Sequence, residues 1–294
     1  MQEYKVEGHV SSYLPEDRNW KLIWADEFDG LELDRTKWDL RVNYWGKPAQ
    51  AYTDQGIAFD GNSNIELHRV ERDGYYVSPQ LQTGCNSFDV PLTKNNNTWK
   101  NTAWPLGELS KAKFIHRFGY YEVRCKFPKR PHDMWSAFWL QSPSIGTSFD
   151  PEWCGVENDI MECFHTDIAT TGNIFGGYAN QIQKEGRVQY PLKPTEDGYH
   201  TFALHWTPTE YVFYCDGEVV TTANKHVSQV PQFILLSTEV MGYRLGCPLK
   251  IGEEFVPNAD KKTKNDEKRV TGEGFVDDAF IVDYVRVFEE QENA

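Results

Sequence analysis

The stretch Phe118-Gly-Tyr-Tyr-Glu-Val-Arg-Cys-Lys-Phe127 alternates apolar and charged side chains with a period of two. On a strand this puts Tyr121, Val123, Cys125 and Phe127 on one face and Glu122, Arg124 and Lys126 on the other. A helix would instead show apolar residues every three to four positions. Tyr199–Trp206, Glu210–Asp216 and Phe280–Phe288 repeat the alternation. Turn pairs separate such runs: Asp60-Gly61, Asp73-Gly74, Asp197-Gly198 and Asp216-Gly217. The last, between two apolar runs, has the residues of a two-residue hairpin. Many strands, short turns and no helical stretch predict an all-β fold, a sandwich of antiparallel sheets.

Three polar stretches, Lys94–Lys100, Pro143–Trp153 and Gly252–Gly274, are expected to be loops. Strand-like sequence continues on both sides of each, so residues 1–294 are read as one domain without an internal repeat. Aromatic residues make up 14% of the chain, which excludes the composition of a disordered protein. The formal charge of −14 argues against a nucleic-acid surface, because phosphates would be repelled. No apolar run approaches the ~20 residues of a membrane-spanning helix. The six cysteines are scattered without a CxxC pair, which argues against zinc. Cys125, Cys163 and Cys215 fall in apolar alternations and are expected to be buried free thiols.

The chemistry concentrates in Gly155-Val-Glu-Asn-Asp-Ile-Met-Glu-Cys-Phe164. Glu157 and Asp159 are two apart and share a strand face. Glu162 is an odd step from both, and a β-bulge near Ile160-Met161 would restore it to that face. Carboxylates gathered on one face repel one another, so at least one is expected to hold its proton more tightly than usual. A glycosidase needs that inequality: one carboxyl protonated as general acid, the other ionised as nucleophile. A gap of roughly 5–5.5 Å between the two leaves no room for a water and implies retention through a covalent intermediate. Spacing alone also admits a solvated acidic strand edge. A calcium cluster is a third reading, although EF-hand spacing is missing.

Glu157-x-Asp159-x-x-Glu162 resembles the signature of glycoside hydrolase family 16 in its bulged form. Similar landmarks follow the family's order: Trp24-Ala-Asp-Glu-Phe-Asp-Gly30 with Trp38, Gly107–Lys111, Phe118–Arg124, Trp135-Ser-Ala-Phe-Trp-Leu140, Tyr199–Pro208, Tyr214-x-Asp216-Gly217 and Val282–Val287. The resemblance covers about 20–288. It implies a β-jelly roll whose concave sheet forms a sugar-binding cleft, with Glu157 as nucleophile, Glu162 as acid/base and Asp159 tuning both. Trp135 is expected in the cleft beside the reacting sugar, where an indole can cover the apolar face of a pyranose. Trp139 is a further substrate-binding candidate, although a core position is the favoured reading for it. Tyr44, Trp45 and His165 are weaker candidates. The resemblance also implies a structural calcium ion away from the cleft at Glu27, the Gly61 carbonyl and Asp283. No cofactor is expected for catalysis.

Several residues depart from the family's pattern. Asn158 replaces an apolar residue and, facing the interior, needs a hydrogen-bond partner. His205 stands where Glu is usual, Ser136 where laminarin-cleaving members have Pro, and Gly176-Gly177 where a histidine–aromatic pair is common. The expected activity is endo-acting, retaining hydrolysis of a β-galactan-type polysaccharide, algal or mucin-like, with endo-β-1,3-glucanase activity as the alternative. A sugar-binding protein without turnover and a transglycosylase are the remaining readings. Arg41, Lys47, Arg130, His132, Lys184 and Arg187 lie in segments that could meet sulfate groups. The protein is expected to act as a monomer, secreted, periplasmic or at the cell surface, its leader already removed.

Overall fold

The computed structural model describes residues 1–16, 18–44, 47–48, 51–72, 75–86, 89, 109–129, 134–164, 166–177, 181–240, 253–256, 268–271 and 278–291. Two antiparallel-rich sheets dominate. One runs in the order Val70–Arg72, Tyr75–Gln82, Phe233–Val240, Met134–Gln141, Glu157–Cys163, Ile168–Phe175, Gln183–Pro191. The other runs Glu218–Ala223, Tyr211–Cys215, His200–Trp206, Gly119–Lys126, Ala279–Gln291, Ile65–His68, Ile57–Phe59, with Asn19–Asp26 also pairing to Ala279–Gln291.

Between the sheets lies the core that the alternation predicts. Tyr121, Val123, Cys125 and Phe127 meet Phe138, Leu140, Ile234 and Leu236 of the other sheet. Trp38 and Trp206, both fully buried, fill its centre. The Trp38 indole N–H is satisfied by Asp26 Oδ2 at 2.7 Å. Asp216-Gly217 closes the hairpin between Tyr211–Cys215 and Glu218–Ala223 with φ of 49° and 76°, the positive pair that such a tight turn requires. Cys125 and Cys163 are buried as expected, whereas Cys215 is only half-buried because it sits at the end of its strand beside the Asp216-Gly217 turn; Cys247 lies outside the described residues.

Two expected loops carry regular structure. Pro143–Trp153 leads into the short helix Pro151–Cys154, capped by Asp150, which accepts from the Glu152 N–H at 3.0 Å. Within Gly252–Gly274, Glu253–Val256 pairs antiparallel with Lys268–Thr271. Lys94–Lys100 lies outside the described residues.

The outer face of Gly119–Lys126 is not left to solvent at Glu122, which is 2% exposed. The N-terminal hairpin of Gln2–Tyr4 and Ser12–Leu14 brings Ser12 and Tyr13 against Glu122. Burial pushes the Glu122 carboxyl up to about 7, opposed by Ser12, Arg286 and Tyr284. A carboxyl whose pKa rises from 4.5 to about 7 on folding costs the fold stability as pH climbs through that interval, about 3 kcal/mol in all. His205, buried and near Arg18, titrates at about 4 instead of 6.5, so over nearly the same range its contribution grows with pH. The two offset each other in the native protein. Glu122→Gln should therefore gain about 3 kcal/mol relative to wild type between pH 4.5 and pH 8 in urea unfolding. An equal difference between the two proteins at both pH values would refute the assignment.

Candidate active site

Glu157–Cys163 lies inside its sheet, paired to Met134–Gln141 on one side and Ile168–Phe175 on the other. The register slips within it: Phe138 opposes Met161 but Trp139 opposes Asp159, and Asp159 pairs with Gly172 while Glu162 pairs with Thr170. This is the bulge. Ile160 and Met161 both enter the core between the sheets, so the parity shifts by one and Glu162 returns to the face of Glu157 and Asp159. The interrupted ladder is patched by Thr171 Oγ1, which donates to the Asp159 carbonyl at 2.9 Å.

All three carboxylates are buried: Glu157 is 9% exposed, Asp159 5% and Glu162 4%. The neighbouring strand presents Gln141, Trp139, Ala137 and Trp135 on the same face. Gln141 Nε2 donates to Glu157 Oε2 at 2.6 Å, and Asn86 Nδ2 donates to Gln141 Oε1, which fixes the direction of the amide. Trp139 opposes Asp159 and Ala137 opposes Glu162, where a methyl group leaves space above the carboxylate. On the far side, Arg187 Nη1 lies 3.4 Å from Glu162 Oε2. A Cβ at Gly172 would stand 2.8 Å from the Arg187 Cα, so glycine there lets the two strands approach.

Trp139 corrects an expectation. It is buried, but on the carboxylate face with Ala137, Phe233 and Leu235, and its Nε1 donates to Ser237 Oγ at 3.0 Å. Phe138 and Leu140, of opposite parity, take the inter-sheet positions. Trp135 shares the face of Trp139, half-buried, its ring centroid 4.6 Å from that of Phe164. Asn158 finds the partners it needs, donating to Asn173 Oδ1 at 2.7 Å and accepting from Gln232 Nε2 at 2.8 Å. Gly176 is a matter of backbone: its φ is 76° and a Cβ would lie 2.4 Å from the Gln181 carbonyl oxygen. Arg41 is not a free cation at a cleft edge, because it is buried against Asp89 with Nε to Oδ2 at 2.6 Å. Trp45, Arg130, His132 and His165, and the side chains of Tyr44 and Lys47, lie outside the described residues.

Away from this face, Ile65–His68 and Asn19–Asp26 pair with the same edge of Ala279–Gln291, on either side of Asp283. Glu27 follows the end of one of these strands and the Asp60–Asn64 turn containing Gly61 precedes the other, and Ser63 Oγ donates to Asp29 Oδ1 between the two segments at 2.7 Å. Both Glu27 carboxylate oxygens already accept from Arg286, at 2.8 and 2.7 Å, and Asp283 Oδ2 accepts from Arg124. Of the carboxylate oxygens of Glu27 and Asp283, these bonds engage all but Asp283 Oδ1.

Residues 82–244 match the sequence profile described as glycosyl hydrolases family 16, more than half of the chain. The chain belongs to glycosyl hydrolase family 16. This family 16 protein is 27% identical over 286 residues to a glucan endo-1,3-beta-glucosidase of Cryptopygus antarcticus, covering 91% of each chain. It is 21% identical over 304 residues to beta-porphyranase B of Phocaeicola plebeius, covering 89% of this chain and 88% of that one. Its fold matches the endo-beta-1,3-glucanase of Pyrococcus furiosus with a TM-score of 0.62 at 19% identity, over 95% of this chain and 97% of the other. The architecture is thus the β-jelly roll of the family, and the protein is a glycoside hydrolase. No helix among the described residues is long and apolar enough to cross a membrane.

Gln141 and Asn86 were not among the site residues expected from sequence, and Arg187 was named only as a group that could meet sulfate, not as a neighbour of Glu162. Gln141 was within reach, since continuing the alternation two places beyond Trp139 lands on it. The contacts of Asn86 with Gln141 and of Arg187 with Glu162 join distant segments, and no local spacing announces them.

Proposed function

We propose that this family 16 hydrolase is an endo-acting, retaining enzyme that cleaves internal β-glycosidic bonds of a polysaccharide. The observation that carries the reading is the bulged strand, which gathers Glu157, Asp159 and Glu162 on one face beside Trp135. In the first step Glu157 attacks the anomeric carbon while Glu162 gives its proton to the departing glycosidic oxygen, leaving a covalent glycosyl–enzyme. In the second step Glu162, now a base, takes a proton from water. The water oxygen bonds to the anomeric carbon and Glu157 is released with retained configuration. Asp159, between the two, biases which of them holds the proton, and Gln141 orients Glu157. A polymer of this kind is met outside the cytoplasm, which is where the enzyme acts in this reading.

Two substrate classes compete. The β-galactan reading rests on Trp135-Ser136 and on likeness to a protein named as a porphyranase. The β-1,3-glucan reading rests on likeness to proteins named as endo-1,3-glucanases. Incubation with laminarin, mixed-linkage glucan, agarose, porphyran, carrageenan and mucin glycans, reading the oligosaccharides released, decides between them. Release of long oligosaccharides with retained anomeric configuration is expected from one class. No product from any polymer would defeat the hydrolase mechanism assigned to these residues.

The second part of the proposal is a structural calcium ion at the Glu27–Gly61–Asp283 junction, held by Asp283 Oδ1 and backbone carbonyls because Arg286 occupies the Glu27 carboxylate. One carboxylate and neutral oxygens make a site of modest affinity. Chelation should lower the melting temperature by a few degrees, roughly 1–2 kcal/mol for binding at tens of Kd, and Asp283→Asn should abolish that response. An unchanged melting curve in excess chelator would dismiss the ion.

A further inference from the structure

A fourth carboxylate shares the face of the catalytic acids. Glu239 lies on Phe233–Val240, directly opposite Trp135 on the adjacent strand. Leu236 and Ile234 point between the sheets, so Leu235, Ser237 and Glu239 take the other face, where Ser237 already meets Trp139. Glu239 is 5% exposed. Tyr52 donates its hydroxyl to Glu239 Oε1 at 2.8 Å, whereas Oε2 has no hydrogen-bond partner among the described residues. A buried carboxylate oxygen left unmatched costs a fold on the order of 1–3 kcal/mol or more. Arg41, the nearby cation, is committed to Asp89 through its Nε. Asp89 and Glu239 thus both act on the Arg41 guanidinium.

We propose that Glu239 is a substrate-binding residue, held by Tyr52 so that Oε2 accepts hydrogen bonds from the hydroxyls of a neutral sugar unit stacked at Trp135. This inference rests on the glycosidase reading above and deepens it. An ionised carboxylate only accepts, so hydroxyl donors are the groups it selects. The same charge repels a sulfate ester or a uronate at that unit. Arg187 beside Glu162 is the opposite in sign, so the cleft discriminates charge by position.

The test uses Glu157→Gln protein, which is expected to bind without turning over, titrated calorimetrically with laminarihexaose, neoagarohexaose and sulfated porphyran oligosaccharides. Adding Glu239→Gln keeps an acceptor for Tyr52 and removes the charge. Affinity for the preferred neutral oligosaccharide should fall at least tenfold, and the preference for neutral over sulfated chains should shrink by a similar factor. Tyr52→Phe should give a smaller loss in the same direction. An unchanged preference at an unchanged melting temperature overturns the role of Glu239 and leaves the hydrolase reading standing. If Glu157→Gln protein binds no oligosaccharide and the native enzyme cuts no polymer, the glycosidase reading fails and this inference falls with it.

Discussion

Glu157→Gln should reduce polysaccharide cleavage by roughly a thousandfold or more, about 4 kcal/mol of lost transition-state stabilisation, while the oligosaccharide Kd changes only a few-fold. The amide is nearly isosteric with the carboxylate, so packing against Gln141 survives even though that hydrogen bond must be rearranged. What disappears is the nucleophile, and with it the covalent glycosyl–enzyme. The split between turnover and binding is the informative part. A sugar-binding protein without catalysis would show no turnover to lose, and a general folding defect would weaken both together. Glycan binding by calorimetry and product release by chromatography separate these outcomes. Wild-type rates in Glu157→Gln would remove this residue from the reaction.

Glu162→Ala should divide its effect between substrates. A polymer's sugar leaving group needs a proton, so its cleavage should drop by about 10²–10⁴-fold. A dinitrophenyl glycoside leaves without help, so its first step should persist. Water then has no base to activate it, the glycosyl–enzyme accumulates, and a burst of phenolate precedes slow turnover. Azide needs no deprotonation and should restore the rate, giving a glycosyl azide of retained configuration. Equal losses on both substrates, with no burst and no azide rescue, would show that Glu162 does not serve as acid/base.

The sequence made the core of this fold legible because the sandwich places one residue in two between its sheets. Tyr121, Val123, Cys125 and Phe127 needed only their alternation to be assigned. The bulge was legible for a chemical reason: Glu162 stands at the wrong parity unless one residue is inserted, and an acid pointing into that core would be very costly. The same rule was overruled for Trp139. Its parity with Trp135 and Ala137 already excluded the inter-sheet core, yet its bulk suggested burial there. It is buried, but on the face of the carboxylates, across from Asp159. Glu122 was hidden for another reason. Alternation assigns it correctly to the face away from the core, but the N-terminal hairpin that covers it there lies 108 or more residues earlier in the chain. Glu239 and Arg187 belong to the same class. Their meaning comes from cross-strand register, which no local spacing encodes.

The bulge spends one residue of this strand without moving an acid. Removing Ile160 would leave every acid in the chain and change no charge, and Glu157, Asp159 and Glu162 would then follow at steps of two on one face of a regular strand. Substitution at the same position would merely trade one buried side chain for another. Activity should therefore tolerate many replacements of Ile160, and its deletion should shift the ladder beyond it by one residue without turning an acid into the apolar interior.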